Sequence, residues 1–134
     1  MLRILIVEDE PVNQEILRLV LREHGDSLAV DTGEDAVLLY RTALDESRPF
    51  DVVFLDIMLP GINGLQTLEK LRALEYTFEV PAERRAQVIV TTALDDDRTA
   101  SRAFIQGHAV SFMTKPFRPG QITEELRKLG LLEG

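Results

Sequence analysis

The sequence predicts an α/β fold: a doubly wound (βα)5 domain with a five-stranded parallel sheet in the order 2-1-3-4-5. Three observations carry this. Short apolar runs alternate with longer amphipathic stretches five times along 134 residues. Strands separated by helices run parallel with right-handed crossovers, so helices cover both faces and inner strands become continuously apolar. The runs at Ile4, Val52 and Val88 have that interior character, while those at Leu28 and Ala109 are broken by Asp31, Thr32 and Ser111 and read as edges. With the first, third and fourth strands inside and the second and fifth outside, the order follows.

Taken in turn, Ile4 to Val7 make the first strand, and Ile16, Leu17, Val20 and Leu21 recur at helical spacing within residues 13–23. Pro11 suits a first helical position, and Gly25 after His24 suits a C-terminal cap. The second unit pairs residues 28–30 with a helix over 34–44, and the third pairs Val52 to Leu55 with 65–74. The fourth joins 88–90 to a helix over 98–106, and the fifth joins 109–113 to 121–129. The stretch from Glu75 to Arg85 makes one return longer than the others, and it reads as a lengthened helix and a surface loop.

The charge narrows the partners. Fifteen basic against twenty-three acidic residues give −8, so attraction to nucleic acid or anionic membrane is disfavoured and a basic protein patch suits the surface better. There is no cysteine, hence no disulfide, thiolate nucleophile or cysteine metal site. Met1-Leu2-Arg3 leads into an apolar stretch cut short by Glu8-Asp9-Glu10, which is not a signal peptide, and no run reaches membrane-spanning length. The expectation is a cytoplasmic domain.

Ligands of open parallel sheets bind beyond the carboxyl ends of the strands, where the order reverses. At those ends stand Glu8-Asp9-Glu10, Asp56, Thr91-Thr92 and Thr114-Lys115-Pro116. Asp56 leaves the central third strand into a loop with Pro60-Gly61 and Asn63-Gly64, so its carboxylate is expected exposed in a crevice and able to act as a nucleophile. Acidic groups this close repel one another unless one takes a proton or a cation is held between them, and hard oxygens with retained waters suit Mg²⁺, bound by Asp9, Asp56 and Glu8. Lys115 adds a point charge and Thr92 a hydroxyl, the groups that hold phosphoryl oxygens in an in-line transfer. Singly, each has a plainer role: Asp9 a helix cap, Asp56 a turn opener, Lys115 a solvated lysine, Thr92 strand filler. Their gathering at four strand ends points to a phosphoaspartate site.

The runs ILIVEDE, DIMLPGINGL, VTTAL and TKPF, in that order, resemble the receiver domain of bacterial two-component response regulators, akin to the chemotaxis regulator, from Leu2 to about Leu129. The resemblance implies a flavodoxin-like fold, with Asp56 as the phosphorylated aspartate, Glu8 and Asp9 as the acidic pair for Mg²⁺, and Met58 lending its backbone carbonyl to the metal. It implies Thr92 as the switch hydroxyl, Lys115 as the lysine that pairs with the phosphoryl group, and Phe112 as the aromatic that turns inward when the threonine moves. Partners follow by the same likeness: a sensor histidine kinase or histidine phosphotransfer protein upstream, a protein target downstream, no direct nucleic-acid or membrane contact, and a phosphorylation-dependent dimer. The output would be a change of the face formed by the fourth helix, fifth strand and fifth helix. One spacing departs from the family: Gly107 stands eight residues before Lys115, where receivers usually have seven.

Aspartate-nucleophile phosphohydrolases use similar groups, but on the first strand with a second acid two residues on; here Asp56 is on the third strand and that neighbour is Met58. Storage of the phosphoryl group is therefore expected, and not enzymatic turnover. A nucleotide-binding fold would need a glycine fingerprint after the first strand, which is missing. The chain reads as one receiver domain over residues 1–134, with 1–130 as core and 131–134 as tail, standing alone or cut from a longer protein.

Overall fold

The computed structural model of the protein describes residues 1–93, 109 and 111–132. Its elements are β1 Leu2–Val7, α1 Pro11–Leu21, β2 Gly25–Val30, α2 Gly33–Asp45, β3 Val52–Asp56, α3 Gly64–Thr77, β4 Gln87–Thr92, β5 Ser111–Thr114 and α4 Pro119–Lys128. The five strands pair in parallel in the order β2-β1-β3-β4-β5, as the apolar pattern predicts. The helix expected over residues 98–106, and Gly107 with its spacing, lie outside the described residues.

Alternation along the inner strands splits the core in two. Leu5, Val7, Val53, Leu55, Val88 and Val90 face Ala36 and Tyr40 of α2 and Leu68 and Leu71 of α3. Ile4, Ile6, Val52, Phe54 and Ile89 face Leu17 and Leu21 of α1 and Ile122 and Leu126 of α4. Period-two side chains buried on both faces are what make the inner strands read as unbroken apolar runs. Among the described residues, no helix is long and apolar enough to cross a membrane.

Two local expectations are corrected. Gly25 does not cap α1; it opens β2, where an added Cβ would lie 2.1 Å from the carbonyl oxygen of Leu2. The glycine serves close strand approach, and α1 ends at Leu21 without it. The long return does contain a lengthened α3 and a short 3-10 turn, Ala82–Arg84. Its first residue, though, is no surface group, because Glu75 is 1% exposed.

That burial is built. Glu75 Oε2 accepts from Tyr40 Oη (2.5 Å) and from the Ala86 N–H (3.0 Å), while Arg72 Nη1 donates to Glu75 Oε1 and to the Ala86 carbonyl, each at 2.8 Å. The network ties α2 and α3 to the start of β4, and burial together with the negative charge of Glu75 holds the Tyr40 hydroxyl well above its ordinary pKa. It sits at the end of the sheet opposite Asp56.

Candidate functional site

Parallel register delivers the predicted groups to one edge. Val7 pairs with Leu55 and Asp56 with Thr91, so Glu8, Asp56 and Thr92 emerge at nearly the same level. Thr92 is opposite Thr114, and the Lys115 N–H donates to the Thr92 carbonyl (2.8 Å), which brings the lysine in from β5.

Lys115 Nζ lies 2.9 Å from Asp56 Oδ2 and 2.7 Å from Glu8 Oε1. One ammonium thus bridges two carboxylates. Asp56 Oδ1 accepts from the Met58 N–H (3.0 Å), so both of its oxygens are engaged and the group is oriented. Asp56 is 2% exposed. Its predicted open exposure is therefore corrected: the carboxylate is buried, with the Lys115 ammonium paired to it at 2.9 Å.

Glu8 is served less well. Its Oε2 accepts from the Glu10 N–H (3.1 Å), and among the described residues the buried Oε1 has no partner beyond the Lys115 ammonium at 2.7 Å, which it shares with Asp56. Burial is the main reason its pKa rises from 4.5 to about 7, with the neighbouring Asp56 adding to the rise and Lys115 opposing it. Burial pulls the Lys115 pKa down, but pairing with Glu8 and Asp56 outweighs it and leaves the ammonium above its usual value. The lysine stays charged at neutral pH.

Glu8, Asp9 and Asp56 each offer a carboxylate oxygen, all within 4.8 Å of one another, with Asp9 on the exposed side. Hard oxygens, one open flank and a poorly served buried oxygen fit Mg²⁺.

The loop after Asp56 is shaped by its Asn-Gly pair. Asn63 Oδ1 accepts from Gln66 N (2.8 Å) and Gln66 Oε1 from Asn63 N (2.9 Å), a capping box for α3. Gly64 then passes so close to Asp56 that a Cβ there would sit 2.2 Å from the Asp56 carbonyl oxygen. Asn63 followed by Gln66 three residues on was a readable signal for this cap. Glu34 is different: it reaches from α2 to the Ile62 N–H (3.5 Å), a contact that no local pattern announces.

With this geometry in place, comparison with known proteins is direct. A family model for the response regulator receiver domain matches residues 4–127. The chain belongs to that family. As a receiver of two-component signalling it is 34% identical over 126 residues to the DNA-binding response regulator MtrA of Mycolicibacterium smegmatis, covering 93% of this chain and 49% of that protein. It is 31% identical over 129 residues to the sensor histidine kinase GacS of Pseudomonas protegens, covering 94% of this chain and 13% of that one. The receiver thus spans about half the length, or less, of these curated relatives. Its fold matches the receiver domain of the histidine kinase CKI1 from Arabidopsis thaliana, solved with Mg²⁺ and BeF3⁻, at a TM-score of 0.81 and 22% identity over 96% of this chain and 89% of that one.

The remaining predicted residues occupy the same edge or its flank. Thr92 is fully buried, and its hydroxyl donates to the Ala93 carbonyl (3.1 Å). Phe112 points outward from β5 at 44% exposure, and the Met58 side chain is exposed while its N–H holds Asp56.

Proposed function

We propose that this receiver is a phosphoacceptor of a two-component phosphorelay, with Asp56 as the acceptor. The observation that carries the reading is the buried Asp56 carboxylate, oriented by the Met58 N–H and paired at 2.9 Å with Lys115. A sensor histidine kinase, a histidine phosphotransfer protein or a small phosphodonor presents the phosphoryl group. An Asp56 oxygen attacks phosphorus in line and the bond from phosphorus to the donor breaks: the imidazole nitrogen of a phosphohistidine keeps the electron pair and takes up a proton, or the acyl oxygen of a small phosphodonor leaves as carboxylate. Lys115 already reaches the carboxylate, so its ammonium is placed to follow the charge onto the new phosphoryl oxygens. Thr92, next to Asp56's strand partner Thr91, offers the hydroxyl for a second contact.

Glu8, Asp9 and Asp56, with the backbone carbonyl of Met58, would hold Mg²⁺, which when bound supplies charge neutralisation to the phosphoryl oxygens. The chemistry is limited to self-phosphorylation and self-dephosphorylation of Asp56, water taking the phosphoryl group in the second step.

Redirection of Thr92 leaves space toward which the outward Phe112 turns, and the face of the predicted fourth helix, β5 and α4 changes shape. Moving such an element from mostly inactive to mostly active takes up to about 5.5 kcal/mol. The net charge of −8 supports output through contact with a basic protein patch, and the family likeness carries the further expectation of a phosphorylation-dependent dimer. DNA binding belongs by name to the mycobacterial relative, of which this chain spans half. One receiver domain over residues 1–134 with a cytoplasmic location completes the reading, although Leu131 and Leu132, expected in the tail, pack against the core.

Intact mass after incubation with acetyl phosphate tests it. The expected result is a single Mg²⁺-dependent phosphoryl gain that Asp56→Asn abolishes. Equal gain in the mutant would remove Asp56 as acceptor.

A further inference from the structure

Gln14 is half-buried in the first turn of α1, and its side-chain nitrogen donates twice: to the Glu8 backbone carbonyl (2.9 Å) and to Asp31 Oδ1 (3.0 Å). A carboxamide has two N–H donors, so both are used. The acceptors come from different elements, Glu8 just past the end of β1 and Asp31 just past the end of β2. Glu8 N donates to the Val30 carbonyl (3.1 Å), so the β1–β2 ladder ends at the residue whose own carbonyl Gln14 takes.

The turn's other ties among the described residues are the Glu10 N–H on Glu8 Oε2 (3.1 Å) and the Gln14 N–H on the Glu10 carbonyl (3.0 Å). Glu10 makes no side-chain cap at the start of α1, and Pro11 has no N–H to offer. Asn13 Nδ2 draws the Glu10 carboxylate back along the helix (3.0 Å), away from the convergence of Glu8, Asp9 and Asp56. The main chain that aims Glu8 and Asp9 is therefore held by the Glu8 N–H on Val30 and the Glu10 N–H on Glu8 Oε2, and Gln14 adds the side-chain tie that joins it to α1 and to Asp31 at the end of β2.

Resting on Glu8, Asp9 and Asp56 as the Mg²⁺ site proposed above, we infer that Gln14 is a positioning residue for the divalent cation, holding the β1–α1 turn where the three carboxylates converge. It touches neither the cation nor the phosphoryl group. Its removal loosens the ligand set and leaves Asp56, Thr92 and Lys115 in place. Weaker Mg²⁺ binding without a slower reaction at saturating Mg²⁺ is the signature.

Calorimetric titration with Mg²⁺ of the wild type, Gln14→Ala and Gln14→Arg tests this directly, alongside thermal midpoints and acetyl phosphate kinetics extrapolated to saturating Mg²⁺. Gln14→Ala is expected to raise the Mg²⁺ dissociation constant roughly three- to tenfold, at or below the low end for outer-shell partners of metal ligands because it acts through main chain. The extrapolated rate should stay at the wild-type value. Arginine reaches as far and brings several donors, so Gln14→Arg should bind Mg²⁺ nearly as the wild type does. Unchanged Mg²⁺ affinity in Gln14→Ala would overturn the inference. So would a fall in thermal midpoint and saturating rate at constant affinity, which marks a purely structural residue. Absence of Mg²⁺ binding by the wild type would overturn the site reading itself, and this inference with it.

Discussion

Glu75 and Glu8 are each 1% exposed, one beside the start of β4 and the other at the end of β1. Their surroundings differ in completeness. Glu75 receives a phenol, a guanidinium and a backbone N–H, which serve both of its oxygens. Among the described residues, Glu8 receives one backbone N–H and a lysine that it shares with Asp56, so its Oε1 has only a divided partner. A buried carboxylate with complete partners holds the fold together; one left incomplete keeps coordination capacity for something that arrives later.

The largest test of that contrast is Glu75→Ala. It strips three donors of their acceptor, Arg72 among them, and removing one partner of a buried ion pair costs about 3–5 kcal/mol. Urea unfolding should show that loss, while the folded fraction still accepts a phosphoryl group, since the network is at the far end of the sheet. A cost under about 1 kcal/mol, in the range of an exposed pair, would mean that the network is not a clamp.

Gly64→Ala joins stability to chemistry. Its Cβ would meet the Asp56 carbonyl oxygen at 2.2 Å and Ile57 Cα at 2.6 Å, and backbone cannot yield as a side-chain tip does. Overpacking of this kind costs about 1–3 kcal/mol. Because the displaced atoms carry Asp56, phosphoryl acceptance per folded molecule should fall further than in Glu75→Ala, as intact mass at matched folded fraction would read. Equal acceptance in the two variants would show that the loop, and not the strand end, absorbs the strain.

The two regions also differ in how far sequence exposed them. Asp56, Glu8 and Lys115 stand at strand ends beside short apolar runs, so alternation alone located them and the parallel register brought them level. The Glu75 network was not legible. Arg72 and Glu75, three apart on a helix, look like any surface pair, and Tyr40 joins them from 35 residues away. Gly25 misled for a related reason: a glycine after a helix suits a cap, and only the packing of β2 against Leu2 shows the need for a missing side chain. The pairing of Asp56 with Lys115 joins residues 59 apart in the chain, which no spacing within β3 or β5 reveals.

The smallest effect sharpens the comparison most. Glu8 titrates near 4.5 when unfolded and at about 7 in the fold, chiefly through burial, so the folded form holds the proton more tightly. Its contribution to stability is therefore full below pH of about 4.5 and is lost as pH rises through about 7. Without Mg²⁺, the urea midpoint of the wild type should decline across that window, and Glu8→Gln, which cannot ionise, should decline less. Mg²⁺ and the proton compete for the same oxygens, so Mg²⁺ affinity should climb with pH and level off above about 7 in the wild type. The same exchange at Glu75 places an NH₂ group among three donors and destabilises at every pH, whereas at Glu8 the NH₂ also meets a donor, but the exchange removes the cost of an ionised buried group, so its loss is offset as pH rises. If Glu8→Gln lost stability as steeply as Glu75→Gln, Glu8 would be a structural carboxylate and the contrast between the two ends of the sheet would collapse.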